Sequence, residues 1–527
     1  MTTARIILIG SILCSFLVSV GYPADKEIQL IADNAEGQAQ MCADVFRDTV
    51  IVGVHSHVGL AKIYERNGEK WEETLDLVVK DGDMDNFGYS VSINGPLGRG
   101  DANIAIVGAP QHDGAAKDSG AAYIFTKSGR DWKQRAKLAP LDGGAADNLG
   151  HAVSVDRTTA VVGAPKSDAV NNNSGAAYVF VLDGSWKQQA KLAPKDLGRS
   201  DAFGYVVFVR KNTIVVGAPG HTHSGIRFAG AAYVFARQGE TWVEQAKLTA
   251  DDAAQSDRFG HSVALSGDSI VVGAPLHDTD RGADTGAAYI FSREGDTWKQ
   301  QAKLGIKGAR KADQLGFGVA TNGKVVVLGA KARDEGDRAS GAAYAFVGAG
   351  GVWEEKNQVV PLFPIKDGFF GFWVAISENT VVVSAHPKAK GGPGLADGAA
   401  AFVYSTIDDF GTPPFAVDPS GRSVTTFGSV KRTALLQNFP NPFNPETWMP
   451  YFVANDVPAV IRIYNIRGQL MRELNLGVQR AGSYLTRDNA AYWDGRDQFG
   501  SVVSSGVYFY TLEAGDFQAT RRMLVLK

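Results

Sequence analysis

Short apolar runs separated by polar turns recur along residues 26–405, and the runs are of two kinds. In "FGHSVALSGDSIVVGAP", which begins at Phe259, two runs rich in β-branched residues flank a turn at 266–268. The later run "WKQQAKL" at Trp298 alternates polar and apolar residues instead. Continuous apolar runs are typical of strands buried on both faces, and alternation is typical of half-exposed strands. No window keeps a helical period, so an all-β fold is predicted.

The same runs return at a nearly constant spacing. An FG-like pair ends in a glycine whose successive copies are 62, 54, 56, 56 and 55 residues apart. Each unit continues with a G-A-P word, a polar loop, a "GAAYVF"-like run and, in all but the last unit, a tryptophan run. A worn copy at 41–80 precedes the others and makes seven units. Four strands per unit, graded from buried to half-exposed, predict the blades of a seven-bladed β-propeller. The FG glycines are Gly88, Gly150, Gly204, Gly260, Gly316 and Gly371.

The last unit stops after its third run, and the missing run lies at the other end of the chain. Residues 27–45 align without gaps on a later unit at an offset of 218, so that Leu30 matches Leu248. An N-terminal strand is therefore predicted to complete the seventh blade and close the ring. Closure removes the open strand edges that would otherwise pair with other chains.

On these FG and GAP words the chain resembles the FG-GAP repeat family, the propeller type of integrin alpha chains and of many bacterial secreted proteins. Members often carry a calcium loop in the hairpin between the FG and GAP strands. Here that hairpin is mostly a tight turn with too few oxygen ligands for Ca²⁺, so no cofactor is expected. The weak metal candidates are Asp81, Asp83 and Asp85, for which a solvated acidic loop is the alternative.

The N-terminal residues predict export. Arg5 followed by an apolar run over 6–20 and small residues up to Ala24 is typical of a signal peptide at 1–24, with a retained membrane helix as the alternative. No membrane span is expected after cleavage. Cys42 then remains as a single cysteine, so no internal disulfide is expected. The net charge of −3 gives no support to a nucleic-acid partner.

The C-terminal part changes character. The propeller is assigned to 25–405, a Pro- and Gly-rich linker to 406–433, and a small immunoglobulin-like β-sandwich to 434–527. This last segment resembles the sorting domains of type IX secretion cargo and the FlgD-type immunoglobulin-like fold. The resemblance implies the secretion machinery as a partner and a place outside a Gram-negative-type cell; an ordinary interaction module is the alternative. The residues that carry it are Asn441, Pro442, Gly468, Gly482, Trp493, Asp494, Gly495, Gly506, Val507 and Tyr508.

Aspartates recur on the propeller face that should hold the blade-to-blade loops and the loops between second and third strands. They predict an acidic binding face for a protein, a glycan or a cation, and turn capping is the alternative. One set stands three residues before the FG glycine: Asp85, Asp147, Asp201, Asp257 and Asp313. The other stands three residues after the end of the GAP word: Asp113, Asp168, Asp278 and Asp334.

Two further motifs are candidates. Arg99, Gly100 and Asp101 form a candidate cell-attachment triplet. His221 and His223 are candidate ligands of a transition metal, with an exposed polar loop as the alternative.

The expected function is a non-catalytic secreted or cell-surface protein for adhesion, or for binding a protein or glycan through the loop face. No G-x-S-x-G, H-E-x-x-H or Cys/His metal motif is present. The alternatives are a secreted glycoside or phosphoester hydrolase that uses carboxylates on the same face, and a structural envelope component.

Overall fold

The computed structural model describes residues 27–31, 40–55, 59–67, 70–79, 86–95, 103–129, 131–334, 339–349, 351–360, 367–386, 400–404, 416–417, 423–424, 433–435, 438, 446–453, 455–480, 482–484 and 490–526. Strands and turns make up these residues. Within them, no helix is long and apolar enough to cross a membrane.

The N-terminal four-fifths of the chain forms seven four-stranded antiparallel sheets in the described residues, which we call blades 1–7. Blade 1 comprises β2 (Gln40–Phe46), β3 (Thr49–His55), β4 (Leu60–Asn67) and β5 (Lys70–Leu77). Blade 2 comprises β6 (Ser90–Asn94), β7 (Ile104–Ala109), β8 (Ala121–Ser128) and β9 (Asp131–Leu138). Blade 3 comprises β10 (Ala152–Asp156), β11 (Thr159–Ala164), β12 (Ala176–Asp183) and β13 (Ser185–Leu192).

The remaining blades repeat this order. Blade 4 comprises β14 (Val206–Arg210), β15 (Thr213–Ala218), β16 (Ala231–Gln238) and β17 (Thr241–Leu248). Blade 5 comprises β18 (Ser262–Ser266), β19 (Ser269–Ala274), β20 (Ala287–Glu294) and β21 (Thr297–Leu304). Blade 6 comprises β22 (Leu315–Thr321), β23 (Val325–Ala330), β24 (Ala342–Ala349) and β25 (Val352–Val359). Blade 7 comprises β26 (Val374–Ser377), β27 (Thr380–Ala385), β28 (Ala400–Tyr404) and β1 (Glu27–Ile31).

The blades close into a ring, and the predicted latch is present. The innermost strands touch in the order β2, β6, β10, β14, β18, β22 and β26, and β26 contacts β2 again. Strand β1 pairs antiparallel with β28, from Glu27 opposite Tyr404 to Ile31 opposite Ala400. The predicted fold class, a seven-bladed β-propeller, is therefore confirmed, and the N-terminal strand completes blade 7 as the sequence alignment indicated.

Neighbouring blades share apolar cores. Between blades 3 and 4, Phe203 of the FG pair is fully buried and meets the Tyr233 and Phe235 rings edge-on, at 5.4 and 6.1 Å. The second strand of each blade is buried along almost its whole length, as in β11. Burial of such apolar area stabilises by roughly 25 cal/mol per Å², so the blade-to-blade contacts hold the ring together.

The C-terminal segment folds into smaller sheets. Strand β29 (Ala416–Val417) pairs with β30 (Ser423–Val424), and β31 (Ala434–Leu435) with β33 (Tyr451–Val453) and β36 (Gly482–Tyr484). Strand β32 (Thr447–Met449) pairs with β37 (Ala491–Trp493). The largest sheet has the order β35 (Leu470–Gln479), β34 (Val457–Asn465), β38 (Gly506–Ala514) and β39 (Phe517–Val525). One apolar core contains Trp493, Tyr508 and Tyr510. This arrangement is compatible with an immunoglobulin-like sandwich.

Candidate functional site

One face of the propeller is reinforced by a repeated backbone ladder, which we call the loop belt. It joins the loop between the second and third strands of one blade to the segment that enters the next blade. In blade 3, for example, Asn172 and Ser174 carbonyls accept the Ser200 and Phe203 N–H groups, at 3.0 and 2.9 Å. The equivalent bonds recur in the described loops of blades 2, 4, 5 and 6. The loops are therefore fixed in shape before any ligand arrives.

The loop belt also concentrates unusual backbone conformations. Each of its turns places non-glycine residues in the left-handed region, which costs about 1 kcal/mol or more per residue. Asn173, Ser200 and Ala202 form one such set, with φ of 52°, 62° and 56°. The same three positions have positive φ in four other turns of the belt. Since the ladder bonds hold these conformations, the belt is a rigid scaffold.

Four of the predicted acidic residues are buried and bonded, and this corrects the expectation that they bind a ligand. Asp147, Asp201, Asp257 and Asp313 are only 1–6% exposed. Each accepts the backbone N–H three residues before it, as Asp201 does from Gly198 at 2.7 Å. Their carboxylates cap turns, which is the alternative that the sequence left open.

The buried aspartates also have a partner in the loop that the sequence reasoning missed. His221 Nδ1 lies 2.5 Å from Asp201, and His277 Nδ1 lies 2.9 Å from Asp257. In blade 6 the equivalent residue is an arginine, Arg333, 2.5 Å from Asp313. The sequence does carry a signal for this partner, because the residue two positions after the GAP word is His or Arg in most units. His221 is buried, and no group of three or more metal-ligating residues forms in the described part, so the structure gives no support to a His221–His223 metal site.

The other aspartates remain accessible. Asp113, Asp168, Asp278 and Asp334 are exposed. Each uses Oδ1 to accept a backbone N–H five or six residues on, such as Asn173 N–H to Asp168 at 2.7 Å. They thus hold their loops closed while keeping a second oxygen toward solvent. Their role in binding stays a prediction.

The loop face is less acidic than predicted. In blade 4 the Arg227 and Arg258 guanidinium carbons lie 5.6 and 4.7 Å from the centre of the Phe228 ring. Arg227 is exposed, and Arg281 of blade 5 is exposed as well. A cationic and aromatic patch therefore lies beside the acidic loops.

Several predicted residues lie outside the described part of the chain. They are Asp81, Asp83, Asp85, Arg99, Gly100, Asp101, Asn441 and Pro442. Among the described sorting-domain residues, Trp493 and Tyr508 are buried in the core, and the Trp493 Nε1 donates to the Arg496 carbonyl at 2.7 Å. Gly468, with φ of 74°, and Asp494 lie in turns, and Gly506 begins β38. These positions support the domain's own structure.

An aromatic ring surrounds the propeller axis at the loop-belt end. The residue after each FG pair points there, and neighbouring ring centres are 4.3–5.1 Å apart. Blade 1 has Met41 at this position, since Cys42 pairs with Gly53 as Ser90 pairs with Gly108. His386 stacks on Phe372 at 3.9 Å and bonds the backbone of Met41. The six residues are Tyr89, His151, Tyr205, His261, Phe317 and Phe372. Lys331 Nζ lies 3.4 Å from the centre of the Phe317 ring.

The ring makes stability depend on pH. Burial, followed by the charge of Lys331, lowers the pKa of His261 to about 3, against about 6.5 when unfolded. The folded state then binds fewer protons than the unfolded state below pH 6.5, so stability falls as the pH drops. We expect His261→Phe, which copies blades 6 and 7, to remove this loss. Relative to wild type, the free energy of unfolding of this variant should rise by about 1.4 kcal/mol for each pH unit below 6.5, or roughly 2 kcal/mol at pH 5. Denaturant unfolding of both proteins at pH 5 and pH 8 measures this difference. An equal difference in unfolding free energy at the two pH values would contradict the prediction.

Below the aromatic ring, the innermost strands of all seven blades line a central cavity of about 600 Å³. Burial raises the pKa of Asp44 in this cavity to about 6, against the hydrogen bonds from the Ile93 and Val45 N–H groups. Cys42 is a buried thiol whose pKa burial raises to about 12. The thiol is therefore unreactive at neutral pH.

Comparison with known proteins places the propeller in a class. Five consecutive segments match the FG-GAP repeat, at 71–125, 132–180, 186–235, 242–291 and 298–346. Together with the sheets, these matches support an FG-GAP type of β-propeller. No curated protein matches the sequence.

Two solved structures resemble the chain at low identity. One is PorZ of Porphyromonas gingivalis, described as an essential bacterial surface component of the type IX secretion system. It is 13% identical with a TM-score of 0.41, and the match covers 92% of this chain and 59% of that one. The other is a chain of the mitotic checkpoint complex, 11% identical with a TM-score of 0.45, covering 77% of this chain and 99% of that one. The chain thus spans about three-fifths of the length of PorZ.

Proposed function

We propose that this is a non-catalytic, secreted or surface-attached protein whose propeller binds a protein or glycan through the loop-belt face. The observation that carries the proposal is the loop belt itself. Backbone hydrogen bonds hold its loops to the next blade. Binding a partner therefore costs little entropy, because the loops are already ordered. The signal peptide pattern and the resemblance to type IX sorting domains support a place outside the cell.

The composition of this face favours a protein partner. Exposed carboxylates of blades 2 and 3 share this face with the Arg227–Phe228–Arg258 group of blade 4. Arginines and aromatic residues dominate the binding energy of protein interfaces, and paired signs of charge set their orientation. A complementary partner would present a basic and an acidic patch side by side.

The test is a combined change of Asp113, Asp168, Asp278 and Asp334 to Asn in the full chain. The Asn Oδ1 still accepts the loop N–H, so the variant removes charge and keeps the loops closed. On an array of matrix proteins and glycans, we expect binding of the wild-type ligand to weaken about tenfold, which is 1.4 kcal/mol.

The matched control removes four charges from the opposite face. Asp131, Asp183, Glu240 and Asp296 are exposed in or beside the turns between third and fourth strands, and become Asn or Gln. The control should bind as wild type does. Equal affinity of all three proteins would reject the acidic loops as contacts, and turnover of glycosides or phosphoesters lost in the Asp→Asn variant would favour the hydrolase instead.

A further inference from the structure

The outermost strand of blade 6 differs from its sister strands in the residue opposite its tryptophan. In blades 1–6 this tryptophan pairs across the strand with Arg66, Lys127, Leu182, Arg237, Arg293 and Gly348, respectively. Five blades therefore place a long side chain beside the indole. Blade 6 places none.

The long side chains cover the indole where they are present. The Arg237 and Arg293 guanidinium carbons lie 5.9 and 4.8 Å from the Trp242 and Trp298 rings. Both tryptophans are only 9% exposed, whereas Trp353 is half-buried. A cation over the ring face is itself favourable, and neither Leu182 of blade 3 nor Gly348 of blade 6 supplies one.

Trp353 instead lies flat on Gly348. A Cβ added to Gly348 would come within 2.6–2.7 Å of three atoms of the Trp353 ring. One face of the indole is thus supported by backbone. Three glycines, Gly323, Gly348 and Gly351, line the groove with it.

The tryptophan borders an open groove of about 340 Å³ between blades 5 and 6, on the face opposite the loop belt. Asp268, Arg293 and Gln301 line it together with Ser266. The Asp268 side chain is 79% exposed and lies 3.7 Å from Arg293 Nε. That Nε is buried and has no hydrogen-bond partner among the described residues. The Gln301 Oε1 accepts from Trp353 Nε1 at 3.4 Å, which orients the indole.

We propose that this groove is a carbohydrate-binding site, with a pyranose ring stacked on Trp353. The C–H groups on one face of a sugar carry partial positive charge and suit the negative face of an indole. The hydroxyls at the sugar's edge need both acceptors and donors, and the groove-lining residues Asp268, Gln301 and Arg293 carry such groups. The site is distinct from the loop-belt face, so either can fail without the other.

Two variants test it in the full chain. Trp353→Ala removes the platform. Gly348→Arg displaces the indole from the backbone, because its Cβ would lie within 2.6–2.7 Å of the ring, and puts there the residue type that blades 4 and 5 have. The matched control is Trp186→Ala, a half-buried tryptophan of blade 3 that does not border this groove. Soluble hexasaccharides of glucose, xylose, mannose and N-acetylglucosamine are the probes, with adenosine monophosphate as a flat non-sugar comparison. Calorimetry and saturation-transfer NMR read the binding.

We expect at least one hexasaccharide to bind with a Kd of roughly 1 mM or tighter, and both groove variants to weaken it at least tenfold. Trp186→Ala should bind as wild type does. The proposal is overturned if none of the sugars binds at about 10 mM, tenfold above that Kd. It is also overturned if binding survives in Gly348→Arg, or if only the nucleotide binds. Loop-belt Asp→Asn variants should leave this binding unchanged, which separates it from the function proposed above.

Discussion

Replacing Gly163 by alanine is expected to destabilise the propeller by about 3 kcal/mol or more. Gly163 belongs to the GAP word of blade 3, where the chain passes directly over the FG pair of blade 4. A Cβ added there would lie 2.0 Å from the Gly204 carbonyl oxygen and 2.9 Å from its carbon. Both obstacles are backbone, so no side chain can rotate away and two blades must separate. Thermal unfolding should show a Tm lower by roughly 5–10 °C.

The control for this prediction is Gly305→Ala. Gly305 is exposed, and a Cβ there meets nothing within 4 Å. Its Tm should stay within about 1 °C of wild type, as surface changes usually cost less than 0.5 kcal/mol. If Gly163→Ala unfolds at the same temperature as Gly305→Ala, the close approach of the two glycines does not hold the blades together.

Replacing Glu27–Ile31 by a Gly–Ser segment of equal length is expected to open the ring. The five residue pairs between β1 and β28 would be lost, and β28 would become an exposed edge. An unpaired, apolar edge such as "AAFVY" recruits other chains, so self-association should accompany the loss of stability. Light scattering after chromatography should find oligomers, and Tm should fall by about 10 °C or more.

The latch has its own control. Glu27→Gln keeps the strand and its backbone pairing and changes one charge, so it should keep the oligomeric state and the Tm of the wild type. A monomeric Gly–Ser variant with the wild-type Tm would mean that the ring closes through the innermost strands, β26 and β2, alone.

Periodicity made the architecture predictable from the sequence. Spacing, strand pattern and the displaced final run together required seven blades and a latch from the N-terminus, because each identical unit can bury its faces only against a neighbour. The FG and GAP words were recognisable for the same reason. Their glycines are required by the approach of one backbone to another, at Gly163 and Gly204 for instance.

The candidate site was less predictable, because one position per unit can be either buried or exposed. Asp201 and Asp168 recur with equal regularity, yet one is 2% exposed and the other lies in solvent. The two side chains differ in exposure because they lie on different sides of the loop belt. The side depends on backbone φ values, which the spacing of residues does not encode. Positions that depart from the repeat were more informative about candidate sites than positions that follow it. One unit breaks the pattern at Met41, whose backbone bonds His386, and another breaks it at Gly348, which lies beneath Trp353.

The pairing of β1 with β28 also determines when the ring can close during folding. Glu27 and Tyr404, joined in one sheet, are 377 positions apart in the chain. Because synthesis proceeds from the N-terminus, the first strand is made long before its partner is. Late encounter of such distant segments is slow, since a long loop must be closed first. The ring therefore stays open until Tyr404 has been made and can pair with Glu27.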